Sequence, residues 1–267
     1  VTLIARDLTV EAGGRPILRG LDFTARSGAL TAIVGPNGSG KSTTLKALTG
    51  DVAHRGRITL DGRELAAIPP TELAARRAVL PQAASLSFPF TVLEVVRLGL
   101  IDGLEAAQRH LPHDALARVG LAGFEGRYYQ HLSGGEQQRV HLARVLVQVW
   151  TPVTPEGRAR WLFLDEPVAS LDIGHQIEVM TLARDYADAG GGVVAVMHDL
   201  NLTAMFADSV ALITDGRCDA QGPPARVLTD DRLSRAYGCR LRLNTPPAGG
   251  AVYLLPQAAG GPGEAGL

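Results

Sequence analysis

The stretch that most constrains this chain runs from Gly35 to Thr43: Gly35, Pro36, Asn37, Gly38, Ser39, Gly40, Lys41, Ser42 and Thr43. It fits the pattern G-x-x-x-x-G-K-[ST], it follows the apolar run Leu30–Val34, and it opens a helical pattern from Lys41 to Leu48. A strand, a glycine-rich curl and a helix in that order form a cradle for phosphate. The glycines let successive N–H groups turn inward on an anion, and the helix adds the positive end of its dipole. Lys41 can reach β- and γ-phosphates, and the Ser42 hydroxyl can ligate Mg²⁺. A strand feeding such a loop belongs to an α/β fold of the P-loop NTPase kind.

The rest of the chain supports an α/β reading. Leu3–Val10 and Ile17–Ala25 alternate loosely around a Gly13-Gly14 turn, and Arg57–Asp61 before Gly62 and Ala78–Gln82 read as further strands. From about residue 83 to 149 the pattern becomes helical, with breaks expected at Pro89, Pro112 and Gly134-Gly135. Residues 151–157 form a proline-rich loop. Strands at Trp161–Leu164, Val193–Met197 and Val210–Thr214 then alternate with helices near His175–Ala189 and Leu200–Ala207, the signature of a parallel sheet covered by helices. A last helix is expected over Pro224–Tyr237, and a disordered end over Ala258–Leu267. The expected organisation is a discontinuous catalytic core (1–84 and 157–240), an inserted helical subdomain (85–156) and a C-terminal extension (241–267).

The formal net charge of −1 gives no footing for a nucleic-acid surface. No apolar run approaches the roughly 18–20 residues of a membrane span, and no charged-then-apolar leader opens the chain. Cys218 and Cys239 have no metal-ligand spacing, and so little cysteine fits a reducing compartment.

Four pieces narrow the P-loop class. Trp161-Leu-Phe-Leu-Asp-Glu-Pro167 is an apolar strand that ends in two carboxylates, Asp165 and Glu166. As chemistry they divide labour: Asp165 holds Mg²⁺ through water, and Glu166 poises an attacking water. Leu132-Ser-Gly-Gly-Glu-Gln137 opens a helix, with Ser133 as its cap and its amides as an anion site. Gln82 stands at a strand end, where a lone glutamine means nothing by itself. His198 ends the apolar strand of Val193–Met197. Alone it is an edge histidine; with the other pieces it reads as a γ-phosphate sensor.

With these residues assembled, the chain resembles the ATP-binding cassette ATPases over about residues 1–240. The resemblance implies a RecA-like core with an N-terminal antiparallel β subdomain and an inserted α-helical subdomain. It implies ATP and Mg²⁺ as ligands, with Ser42, Gln82 and Asp165 organising the metal and Glu166, His198, Lys41 and Gln82 as the catalytic set. Gly35 to Thr43 match the Walker A motif, Gln82 the Q-loop, Leu132 to Gln137 the signature motif, Leu162 to Glu166 Walker B, Ser170 to Asp172 the D-loop, and His198 the switch histidine. Because one chain carries one P-loop and one signature, the resemblance implies a second copy, whose Ser133, Gly134, Gly135, Glu136 and Asp172 would complete each site. One usual element is missing: the aromatic that stacks on adenine is replaced by Ala12, with Arg15 as the nearest substitute face.

His198-Asp-Leu-Asn-Leu202 is similar to the importers of ferric siderophores, cobalamin and haem, and Gln137–Gln148 with the long spacer Val149–Arg160 is similar to the haemin importers. That likeness implies a peripheral ATPase at the cytoplasmic face of a bacterial inner membrane, two multi-span permease subunits as partners, and a periplasmic binding protein acting indirectly. Phe88, Phe90 and Leu93 would either grip a permease or pack inside the helical subdomain. The alternatives are a siderophore or cobalamin importer with the same engine, and a soluble cassette ATPase acting on nucleic acid or ribosomes.

Overall fold

The computed structural model describes residues 2–82, 88–100, 108–246, 249–250 and 252–258. The chain opens with two long strands, β1 (Thr2–Ala12) and β2 (Arg15–Arg26), joined by the expected turn at Gly13-Gly14. It continues through β3 (Ala29–Val34), α1 (Lys41–Leu48), β4 (Arg55–Leu60), β5 (Arg63–Glu64), α2 (Pro70–Arg76) and β6 (Arg77–Leu80). The helical stretch holds α3 (Val92–Arg97), α4 (Leu111–Arg118) and α5 (Gly134–Gln148). The chain then alternates through β7 (Trp161–Asp165), α6 (Ile173–Asp188), β8 (Gly192–Val196), α7 (Leu200–Phe206), β9 (Ser209–Thr214) and β10 (Arg217–Gly222), and closes on α8 (Pro224–Val227) and α9 (Asp230–Tyr237).

These strands build two sheets. An antiparallel sheet runs β2-β1-β4-β5, and a six-stranded sheet runs β10-β9-β3-β8-β7-β6. The latter is parallel except for β10. Its central strands β7 and β8 are buried at every residue, as a sheet covered on both faces requires. Alternate residues serve different cores. Leu162, Leu164, Val193 and Ala195 join α3–α7 in one apolar cluster, whereas Trp161, Phe163, Val194 and Val196 join α1 and the antiparallel sheet in another. The helical stretch therefore shares its core with one face of the parallel sheet.

Several local expectations are corrected. Pro112 does not break a helix but sits in the first turn of α4, where its missing N–H costs nothing. Gly134 and Gly135 are likewise the first two residues of α5, behind the Ser133 cap. The helix expected over Pro224–Tyr237 is two helices, with Leu228 and Thr229 between them. The expected disordered end, beyond Ala258, lies outside the described residues. No helix among those residues is long and apolar enough to cross a membrane.

Candidate functional site

Four adjacent parallel strands, β3, β8, β7 and β6, deliver the chemistry-bearing residues at their carboxyl ends, where open α/β sheets form their ligand crevice. After β3 comes the phosphate loop. Two glycines there are required by space and backbone. A Cβ on Gly35 (φ 149°) would lie 2.0 Å from the Ile213 carbonyl oxygen, and one on Gly40 (φ 101°) 2.7 Å from Leu18 Cδ2. The loop is braced from below by the turn after β9, through Gly216 N–H to the Ser39 carbonyl (3.1 Å). Ser133, Asp172 and Asp199 each cap their helix with a side chain, but α1 has no side-chain cap and no acid in its first turn. Its N-terminal N–H groups are left for an anion. Ser39 Oγ, buried in the same loop, has no hydrogen-bond partner among the described residues.

Lys41 donates from Nζ to the carbonyls of Gly35 (2.9 Å) and Pro36 (3.1 Å). Burial lowers its pKa, opposed by the charges of Glu166 and Asp165. Ser42 Oγ donates to Asp165 Oδ1 at 3.0 Å. Asp165 is buried, and desolvation raises its pKa, opposed by the Ser42 hydrogen bond and reinforced by the charge of Glu166. A buried carboxylate beside a hydroxyl, with a second carboxylate next to it, is a hard oxygen donor set short of positive charge. It suits Mg²⁺ completed by phosphate oxygens and water. No cluster of three acidic, histidine or cysteine side chains that could hold a metal by itself exists among the described residues.

Strand alternation would send Asp165 and Glu166 to opposite faces. The backbone avoids this. β7 ends at Asp165, and Glu166 turns into the left-handed region (φ 53°), so both carboxylates serve one site. Such a conformation costs a non-glycine residue about 1–3 kcal/mol and must be held by its surroundings. Glu166 N–H donates to the Val196 carbonyl (3.2 Å), and its own carbonyl accepts from Gln138 Nε2 (3.0 Å). Its carboxylate oxygens are shared between Gln82 Nε2 (2.9 Å, to Oε2) and His198 Nε2 (2.7 Å, to Oε1). Each oxygen keeps a further lone pair with which to accept from a water.

The cavity above these groups, about 610 Å³, is lined by Asn37, Gly38, Gly40, Lys41, Ser42, Thr43, Gln82, Glu166 and His198, with Ile17 as an apolar wall. Ser133, Gly134, Gly135, Glu136 and Asp172 do not line it. Within this chain they serve helix starts. Ser133 and Glu136 form a reciprocal capping box that holds the Glu136 carboxyl below the usual carboxylate range, and Asp172 caps α6 through the His175 N–H. The spacing Ser-x-x-Glu was the available signal for that box. Two contributors carried no sequence signal: Ile17, an ordinary strand residue, and Gln138, one glutamine among several. Ala12 and Arg15 pair across the exposed first turn.

Comparison with known proteins places this arrangement. A family model described as ABC transporter matches residues 18–169. The chain is 64% identical over 257 residues to the hemin import ATP-binding protein HmuV of Jannaschia sp. (strain CCS1), covering 96% of this chain and 95% of that protein. It is 57% identical over 259 residues to the HmuV of Mesorhizobium japonicum, covering 96% and 98%. Among solved structures it is similar to an ATP-binding subunit of an ABC transporter (TM-score 0.71, 26% identity, 90% of this chain and 95% of that one). It is also similar to a bacterial Atm1-family ABC exporter with ATP bound (TM-score 0.73, 28% identity, 88% of this chain and 40% of that one). With a phosphate loop, paired acids, a glutamine and a histidine converging on one crevice, and these relatives aligned along nearly its whole length, the chain belongs to the ABC transporter family as an ATP-binding cassette.

Proposed function

We propose that this chain is the ATP-hydrolysing subunit of a bacterial haem (haemin) importer, working as a homodimer beneath two multi-span permease subunits at the cytoplasmic face of the inner membrane. The observation that carries the enzymatic part is the convergence of Lys41, Ser42, Glu166, Gln82 and His198 on one cavity, with Asp165 buried behind Ser42 and hydrogen-bonded to it. The absence of Ser133–Glu136 and Asp172 from its lining supports a site completed by another copy. The cargo rests on the relatives named as hemin import proteins. No residue of this subunit needs to touch haem, and none of its histidines is assigned to it.

The steps follow from the geometry. Lys41 leaves the Gly35 and Pro36 carbonyls for the β- and γ-phosphate oxygens, an exchange that its partly desolvated ammonium favours. Asp165, Ser42 and Gln82 organise Mg²⁺, which when bound neutralises charge on the phosphates. Glu166 polarises the attacking water through a carboxylate that Gln82 and His198 hold in place. His198 stabilises charge on the γ-phosphoryl group. Ser133, Gly134, Gly135, Glu136 and Asp172 of a second copy close the opposite side. Hydrolysis then removes the adhesive between the copies, so the open state becomes favoured and the permease is driven.

Co-purification of the chain with a multi-span permease from detergent tests the importer class. A nucleic-acid-remodelling cassette would bring no permease. In the reconstituted complex, ATPase stimulation by a haem-loaded binding protein, and not by ferric siderophore or cobalamin carriers, is the expected result. Stimulation by one of the other carriers instead would reassign the cargo.

A further inference from the structure

Gln138 stands apart from the other polar residues at the start of α5. Its neighbour Gln137 spends its amide locally, on the Tyr129 and Leu132 carbonyls (3.3 and 3.2 Å). Gln138, in the following position and about one turn below the Ser133 cap, reaches off the helix to the Glu166 carbonyl at 3.0 Å. That carbonyl belongs to a residue in a strained left-handed conformation. The other left-handed non-glycine residues among those described are Asp7, Asp61, Asp215 and Asn244, residue types that tolerate it far better than glutamate. Beside this contact, between the start of α5 and the end of β6, lies a cleft of about 210 Å³, lined by Leu80, Gln82, Gly134, Gln138, His141 and Ser170. The Gln138 amide makes the side-chain hydrogen bond that ties α5 to the backbone of Glu166, and the cleft leaves open space next to it. At the first turn of α5 the fit against Ser170 and Leu171 is tight. A Cβ on Gly135 would lie 3.1 Å from the Ser170 carbonyl oxygen and 3.2 Å from Leu171 Cδ2.

The geometry points to Gln138 as a positioning residue: it holds the backbone of Glu166 in its working conformation, and it does so from the helix whose first residues meet the other copy's nucleotide. This rests on the paired-cassette reading above. A displacement of α5 when its N-terminus engages the second site is delivered, through one hydrogen bond, to the carboxylate of the first. Occupancy of one site thereby sets the competence of the other, a coupling between two distinct sites through a shared element.

The test compares wild type with Gln138→Met and Gln138→Glu. Both keep the length of the side chain, and neither offers an amide N–H to the Glu166 carbonyl. Full-length protein, reconstituted with its permease, is assayed for ATPase rate against ATP concentration, and nucleotide affinity is measured separately. Both variants are expected to lose 10- to 100-fold in kcat, the scale of misplacing a reacting group by about an ångström. KM and nucleotide Kd should stay within about twofold of wild type, and the Hill coefficient for ATP should fall toward 1. A kcat equal to wild type, or a lower kcat with cooperativity intact, overturns the proposal. The Glu166→Gln variant serves as the control for the underlying reading. If it fails to form an ATP-bound pair, the paired-cassette reading has failed. If it pairs and the Gln138 variants remain wild-type, only the positioning role has.

Discussion

His141 offers a pH-dependent stability that follows directly from its place in α5. It is 4% exposed, its Nε2 lies 2.8 Å from the Tyr129 hydroxyl, and its Nδ1 has no partner among the described residues. Burial, with the Arg144 charge adding, pushes its pKa from 6.5 down to about 4. The unfolded chain therefore binds a proton in a range where the folded chain refuses it. Stability from this group is full above pH 6.5, falls as the pH drops below that value, and levels off below about 4. At pH 5 this preferential protonation shifts the folding equilibrium toward the unfolded chain by a factor of about 30, which is about 2 kcal/mol lost relative to pH 7. The comparison is a double variant, His141→Phe with Tyr129→Phe, which removes both polar partners and leaves neither orphaned. Urea midpoints at pH 7 and pH 5 should show wild type losing about 2 kcal/mol more than the double variant. Hydrogen exchange should place the extra loss in α5. Equal losses in the two proteins would refute a buried neutral imidazole.

Three further outcomes are expected. Glu166→Gln should slow ATP hydrolysis by about 10²-fold or more while keeping ATP binding, and normal turnover in that variant would withdraw Glu166 from the chemistry. Ala12→Tyr should tighten ATP binding by the roughly 1–3 kcal/mol of a base–aromatic stack, read as a lower Kd in a fluorescent-nucleotide titration, with wild type discriminating poorly between ATP and GTP. Gly35→Ala should abolish nucleotide binding in the same titration, since its Cβ would fall 2.0 Å from the Ile213 carbonyl oxygen and the loop must move away; an unchanged Kd would show that the loop tolerates the side chain.

Much of the site was legible because its residue types are required by covalent geometry. The glycines of the phosphate loop, the strand before it and the helix from Lys41 to Leu48 match the structure to the residue at both helix ends. The buried strands β7 and β8 announced themselves as short apolar runs. What could not be read depends on partners distant in sequence. The left-handed turn at Glu166 is held by Val196 and Gln138, and neither is recognisable until the sheet is assembled. The edge strand β10 (Arg-Cys-Asp-Ala-Gln-Gly) alternates only two small side chains, Cys218 and Ala220, with polar ones, and both are only partly buried, so its period is too weak to read. The short helix α2 packs Leu73 and Arg76 and is too brief to carry a period. Pro112 misleads because proline is punished inside a helix but tolerated in its first turn.

Sedimentation of the Glu166→Gln variant with and without ATP and Mg²⁺ probes most directly whether two copies share each nucleotide. Without nucleotide the chain should sediment as one copy; with saturating ATP it should become a pair holding two ATP, and Ser133→Arg should prevent the pairing while leaving ATP bound to the single chain. A protein that binds ATP to saturation and remains a single copy, with hydrolysis unaffected by changes at Ser133, would contradict the account.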